Sequence, residues 1–249
     1  MYDGVRIPPP LRGEPHYLTT LPPFLSNSAN EGRARYLLRF DTPERYQAYM
    51  TRYYRLITEV DAAIGRVADE LKTQGVYDDT VIILIGDNGY FQADRGLADK
   101  WYPYEESVRV PLIVRDPRLP AGRRGETRSQ LALNIDVAPT IVAATGLPMP
   151  GVMQGQDLAP LYLQARAPAW RDEFFYEHPT VLAKARIPSS QAVIRRDWKY
   201  IEWSEYDHQQ LFDLQNDPGE VRNLAGQPAH AGREATMRAR LDEWRQRVR

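Results

Sequence analysis

The sequence predicts an α/β fold, with a partial central sheet flanked by helices and a small C-terminal antiparallel α+β subdomain. Three observations carry that reading. An amphipathic segment over residues 43–74 feeds into Val81-Ile82-Ile83-Leu84-Ile85, an unbroken aliphatic run. A second such run, Val110-Pro111-Leu112-Ile113-Val114, follows after a loop. From about Arg166 the texture changes to aromatic residues alternating with polar ones. A long helix feeding a fully apolar strand is the pattern of a helix-covered parallel sheet. Alternation marks antiparallel strands with one face in water.

Each element has a local cause. Residues 1–40 are rich in Pro, Ser and Asn and read as an extended surface segment. Thr42 suits a helix N-cap and Pro43 the first helical position. Tyr46, Met50, Tyr53, Ile57, Val60, Ile64, Val67 and Leu71 then form one apolar stripe, and Gly75 stops the helix. Asp78-Asp79-Thr80 turns the chain into the first aliphatic run, expected as a strand buried on both faces. Pro111 opens the second run, where a missing donor is tolerated. Asp136 is positioned to cap a helix from Val137 to Thr145 that Gly146 ends. Farther on, Phe174–Glu177, Trp198–Trp203 and Leu211–Leu214 read as half-exposed antiparallel strands. Met237, Leu241, Trp244 and Val248 place a closing amphipathic helix over about 229–248. The expected division is 1–165 for the α/β part and 166–249 for the C-terminal subdomain.

Composition narrows the function. With 32 basic and 33 acidic side chains, the net charge is −1. That gives no broad drive toward nucleic acid or an anionic membrane. No apolar run approaches the roughly 20 residues that span a bilayer. Cysteine is absent, which removes disulfides, thiolate metal sites and a cysteine nucleophile. The N-terminus has no basic n-region followed by an apolar h-region, so no signal peptide is read in this chain. Met1 is read as an internal start with further chain expected upstream.

The chemistry concentrates where the first aliphatic run ends, at Gly86-Asp87-Asn88-Gly89. Open α/β sheets bind ligands at the carboxyl ends of their strands. A carboxylate beside an amide oxygen is a hard ligand pair, suited to Ca²⁺ or Mg²⁺ rather than Zn²⁺. A plain Asn-Gly turn is the alternative. Lys100 follows among aromatics and can meet an oxyanion as a point charge, or be an ordinary solvated lysine. Glu105 and Glu106 precede an apolar strand and read as capping or scaffold residues. His178 reads as a turn histidine, with a substrate contact at the cleft mouth as the alternative. The arginine-rich tail carries interleaved acids and reads as a solvated helix face.

The run Tyr53–Asp61 with Ile64-Gly65 resembles the helix before the metal strand of type I sulfatases, in the alkaline-phosphatase-like superfamily. The likeness continues through Asp87-Asn88-Gly89-Tyr90-Phe91, Gly96–Trp101 and Tyr104–Val114. It resumes at Ile135–Thr140, Gly155–Leu158, Leu211–Leu214 and Asp217-Pro218. The resemblance implies an alkaline-phosphatase-like sulfatase fold and hydrolysis of a sulfate ester at bound Ca²⁺ (Mg²⁺ as the alternative) by a formylglycine hydrate. It further implies Asp87 and Asn88 as metal ligands and Lys100 as the catalytic lysine at the sulfate. Arg95, with His178, is a candidate substrate contact. Relatives often carry Glu-His where this chain has Asp94-Arg95, a departure bearing on substrate choice.

A second departure is larger. The family's nucleophile arises from Cys or Ser in a Cys/Ser-x-Pro-x-Arg motif, and no residue here fits it, Ser107 and Ser189 included. The nucleophile, the formylglycine and the remaining metal ligands are therefore expected in a missing N-terminal half. The implied partners are that half and a sulfated small molecule or glycan, without nucleic acid. A periplasmic or extracellular setting follows from the resemblance. The competing readings are a phosphatase or phosphonate-ester hydrolase of the same superfamily, and a non-catalytic binding subunit or remnant.

Overall fold

A computed structural model describes residues 1–248 of the 249. Prolines and one asparagine organise the N-terminal forty residues. Helix α1 (Pro15–Thr19) and α2 (Pro23–Ser26) each open on proline, whose fixed φ suits a first helical turn. Asn30 caps α3 (Glu31–Arg39), its Oδ1 accepting from the backbone N–H groups of Gly32 and Arg33. This differs from the extended surface segment that composition predicts. Leu21 and Leu25 are buried, and they pack with Phe91, Leu97 and Trp203.

The chain divides into two compact units. One comprises Met1–Ala63, Asn88–Arg109 and Phe174–Arg249; the other comprises Ile64–Asp87 and Val110–Glu173. A division at 165/166 is not what these units follow, because the N-terminal helices join the C-terminal strands through long-range packing.

Helix α4 (Pro43–Thr73) passes from the first unit into the second. Its apolar stripe starts buried, with Tyr46 and Met50 against Ile7, Phe40, Ala93 and Ala98. Farther along, Ile57, Val60 and Val67 are 48%, 56% and 60% exposed. In the second unit, β1 (Ile82–Ile85) is followed, after α5 (Glu105–Val108) of the first unit, by β2 (Leu112–Arg115). β1 and β2 pair antiparallel, Ile82 opposite Arg115 and Ile85 opposite Leu112. The expected parallel pairing and two-sided burial of this strand are corrected here. A strand is buried on both faces only where a layer lies on each, yet Leu84 and Ile113 are 36% and 60% exposed.

The second unit is pinned instead by polar contacts. Helix α6 (Val137–Ala144) starts after a 3₁₀ turn at Asn134–Asp136. Asp136 is buried; its carboxylate accepts from Leu133 N, Gln156 N and Arg171, rather than capping α6. A side chain at Gly155 would lie 2.0 Å from the Ile135 carbonyl, so the close approach beside Asp136 requires glycine. Helix α7 (Ala159–Leu163) packs through buried Ala159 and Leu161.

β3 (Glu173–His178, in the first unit from Phe174 on), β4 (Ser190–Arg195), β5 (Trp198–Trp203) and β6 (His208–Asp213) form a sheet in that order. The β4–β5 and β5–β6 pairs are antiparallel. Ala192, Ile194, Ile201, Trp203 and Phe212 pack with Leu25, Phe91 and Tyr104. The alternate residues Val193, Tyr200 and Leu211 pack against Met237 and Leu241 of α8 (Ala231–Arg247). Both faces are thus covered, where alternation predicts half-exposed strands. The polar positions that mislead the pattern are paired inside: Gln210 accepts from Tyr104 Oη and Trp203 Nε1 at 3.0 Å each. No described helix is long and apolar enough to cross a membrane.

Candidate functional site

The loop after β1 is built by backbone bonds and tight approaches. Gly86 N donates to the Pro111 carbonyl at 3.1 Å, and Asp87 follows, exposed. Gly89 N donates to the Ser107 carbonyl at 2.8 Å, so close that an added Cβ would lie 2.2 Å from the Glu106 carbonyl oxygen. Phe91 N donates to the Asp99 carbonyl at 2.8 Å and Ala93 N to that of Leu97 at 3.1 Å. The segment therefore folds back on itself and returns Lys100 to Asn88. Lys100 Nζ donates to Asn88 Oδ1 at 2.6 Å, and Asn88 Nδ2 donates to the Gly89 carbonyl at 2.7 Å. The two bonds fix the amide with its oxygen toward the ammonium.

Five non-glycine residues of this loop have left-handed backbone: Gln92, Ala93, Arg95, Asp99 and Trp101, with φ from 47° to 90°. Each such residue costs on the order of 1–3 kcal/mol and persists only where its surroundings hold it. Arg95 is one restraint. It is wholly buried, its Nε 3.0 Å from Glu106 and its Nη atoms donating to the carbonyls of Gly219 and Glu220. In this arrangement it offers no solvent-facing surface to a ligand, and its role is to anchor the loop.

Behind it lies a buried ionic network that composition and motif do not reveal. Lys199 reaches Glu220 at 2.5 Å and Glu105 at 2.8 Å, with both Lys199 and Glu220 fully enclosed. Burial works against the Lys199 charge, but Glu220 and Glu105 outweigh it and hold its pKa above the ordinary value. Glu106 also accepts from Arg12 at 2.9 Å. Glu105 and Glu106 are thus scaffold residues, as their place before β2 predicts.

Asp99, next to Lys100, is held by Arg35 and Arg39 of α3. Burial disfavours its charge, but hydrogen bonds from Tyr90, Arg35 and Arg39 hold its pKa below the usual carboxylate range. His178 ends β3, half-buried, its Nδ1 without a hydrogen-bond partner among the described residues. Burial lowers its pKa, which keeps it neutral at neutral pH.

Asp94 shows the opposite balance. Burial pushes its carboxyl up to about 6, although Arg12 N donates to it at 2.7 Å. The native state therefore holds its proton better than the unfolded chain. Stability from this group is full below the unfolded pKa of about 4 and is lost as pH rises through about 6. Asp94→Asn keeps an acceptor for Arg12 N without the charge. Urea unfolding is expected to give near-equal stabilities at pH 4 and an advantage for the variant, at most about 3 kcal/mol, at pH 8. Parallel stabilities at both pH values would contradict this.

The site's donors match a hard cation in kind: a carboxylate at Asp87 and an amide oxygen at Asn88. They do not match it in number. Ca²⁺ takes about six to eight oxygens, and no group of three or more His, Cys, Asp or Glu side chains is gathered among the described residues.

Known proteins resemble this chain over nearly its whole length. The sulfatase family model matches residues 15–147, and the model for the C-terminal part of N-sulphoglucosamine sulphohydrolase matches residues 93–247. An N-acetylglucosamine-6-O-sulfatase of Bacteroides thetaiotaomicron is 32% identical over 202 residues, covering 80% of this chain and 36% of that protein. A solved complex of a protein with its substrate D-glucosamine-2-N,6-O-disulfate superposes with a TM-score of 0.76 at 31% identity, over 82% of this chain and 42% of the other. A phosphonate monoester hydrolase from Silicibacter pomeroyi superposes with a TM-score of 0.83 at 30% identity, over 99% of this chain and 52% of the other. The chain thus spans between about a third and a half of the length of these relatives. Two family models cover nearly all of it, and it belongs to the type I sulfatases of the alkaline-phosphatase-like superfamily.

Proposed function

We propose that this chain contributes the lysine side of an active site that hydrolyses sulfate esters on amino sugars. The observation that carries the proposal is Lys100 Nζ, fixed 2.6 Å from Asn88 Oδ1 where the chain leaves β1. A fixed ammonium there offsets negative charge on the oxygen that leaves the sulfate, the point at which charge develops in ester cleavage. Asn88 orients the ammonium, and the restrained loop spares the reorganisation that a mobile lysine would need. Asp87 would lend one oxygen to a Ca²⁺ shell and Asn88 Oδ1 a second, its two lone pairs then shared between the ion and Lys100; the chemistry of that ion is to polarise the sulfate oxygens. The remaining ligands and the formylglycine nucleophile belong, in this reading, to polypeptide outside these 249 residues. The relatives named for glucosamine sulfates support the sugar substrate, and such a substrate suits an extracellular or periplasmic setting.

The phosphonate monoester hydrolase likeness, at 99% of this chain, supports a second reading in which the ester is a phosphonate. Sulfate and phosphonate present similar oxyanions to a lysine. Competition separates them: glucosamine 6-sulfate is expected to displace a methyl phosphonate ester from the chain in CaCl₂, and the reverse order of affinity would favour the second reading. The purified chain is expected to release no chromophore from 4-nitrophenyl sulfate. Turnover abolished by a substitution within this chain would refute the placing of the nucleophile outside it.

A further inference from the structure

Lys100 lies between two residues with left-handed backbone, Asp99 at φ 63° and Trp101 at φ 90°. The side chain of Asp99 meets two guanidinium groups, with Arg35 Nη1 at 2.8 Å and Arg39 Nη1 at 3.0 Å, both donating to Oδ2. Arg39 Nη1 also donates to the Tyr90 hydroxyl at 2.6 Å. Tyr90 is two residues beyond Asn88, and Asp99 is the residue before Lys100. One arginine therefore ties together the two strands of the loop that carry the contacting pair. The Phe91 N to Asp99 carbonyl bond closes the same span. Beyond Lys100, the Arg35 guanidinium lies 5.1 Å from the centre of the Trp101 ring, and Tyr176 Oη donates to the Trp101 carbonyl at 2.8 Å. Arg35 and Arg39 are one turn apart on α3, and Glu31 pairs with Arg35 at 2.8 Å to set its direction.

We propose that Asp99, gripped by Arg35 and Arg39, is a positioning residue that holds Lys100 against Asn88. Two left-handed residues around a lysine would relax if nothing held them. The ionic grip is aimed at one of them and the aromatic contact at the other. The proposal rests on the reading of Lys100 as a sulfate-facing group, and it adds the device that aims it.

The test uses the small number of lysines. The chain has four: Lys72, Lys100, Lys184 and Lys199. Lys72 and Lys184 are exposed, and Lys199 is enclosed in the same unit as Lys100. Acylation of the full chain with N-hydroxysuccinimidyl acetate, read by peptide mass spectrometry, gives Lys100 relative to two exposed standards and one folding standard. Asp99→Asn removes the charge yet tolerates a positive φ as aspartate does; Arg39→Met breaks the grip from the other side. Both are expected to raise Lys100 labelling about tenfold, the weight of one charge-assisted hydrogen bond, with Lys199 still protected. Unchanged Lys100 labelling in both variants overturns the proposal. So does labelling of Lys100 and Lys199 rising in step, which would make Asp99 a residue of the whole unit's stability. The reading of function is judged separately, by whether glucosamine 6-sulfate with CaCl₂ shields Lys100 in the unaltered chain.

Discussion

Glu220→Gln is expected to cost the folded chain about 3–5 kcal/mol in urea unfolding, the range for breaking a buried ion pair from one side. The carboxylate is enclosed with Lys199 at 2.5 Å and Arg95 at 3.5 Å, and one of its oxygens accepts from Glu105 N at 2.9 Å. The glutamine amide retains acceptor capacity, but two buried cations then share only Glu105 and Glu106. The double variant Lys199→Met with Glu220→Gln is expected to recover much of that loss, because it removes the cation left uncompensated. Additive costs in the double variant would show that packing, rather than charge, accounts for the effect.

Gly89→Ala is expected to be the most damaging small change near Asn88. Its Cβ would lie 2.2 Å from the Glu106 carbonyl oxygen and 2.9 Å from the Ser107 carbonyl carbon. Those atoms are main chain and cannot swing aside, so the Gly89 backbone must move and carry Asn88 with it. A loss of about 3 kcal/mol, the upper end for overpacking, should accompany release of Lys100 from Asn88. Gly86→Ala in the same motif is the control, since the atoms nearest its Cβ are side-chain atoms of Pro111 and Val110, at 3.3 and 3.4 Å. Similar unfolding curves for the two variants would contradict the steric account.

Much of the architecture is legible from local signals. The proline-opened α4, the aliphatic β1 and β2, α6 and the closing α8 lie close to where capping and periodicity place them. Direction of pairing is not legible: an aliphatic run states a demand for burial and says nothing of which neighbour supplies it. The grouping of α1–α3 with the C-terminal sheet is equally hidden, since it rests on contacts such as the Phe24 ring with that of Trp203, far apart in the chain. In the candidate site, the resemblance singles out Asn88 and Lys100 as expected site residues, and the structure adds the hydrogen bond between them. Arg95 carries a motif position but turns inward to Glu106 and the Gly219–Glu220 carbonyls. Arg35, Arg39, Asp99, Lys199 and Glu220 have no periodicity to betray them, because long-range ion pairs leave none in a sequence.

The most direct measurement is a calorimetric titration of the chain with glucosamine 6-sulfate in CaCl₂, alongside Lys100→Ala and unsulfated glucosamine. If Lys100 is the sulfate-facing group, the unaltered chain binds the sulfated sugar in preference to the unsulfated one. The variant then loses about tenfold in affinity, the weight of one charge-assisted contact, while unfolding as before. Equal affinities for Lys100→Ala and the unaltered chain, or equal affinities for the two sugars, would contradict it.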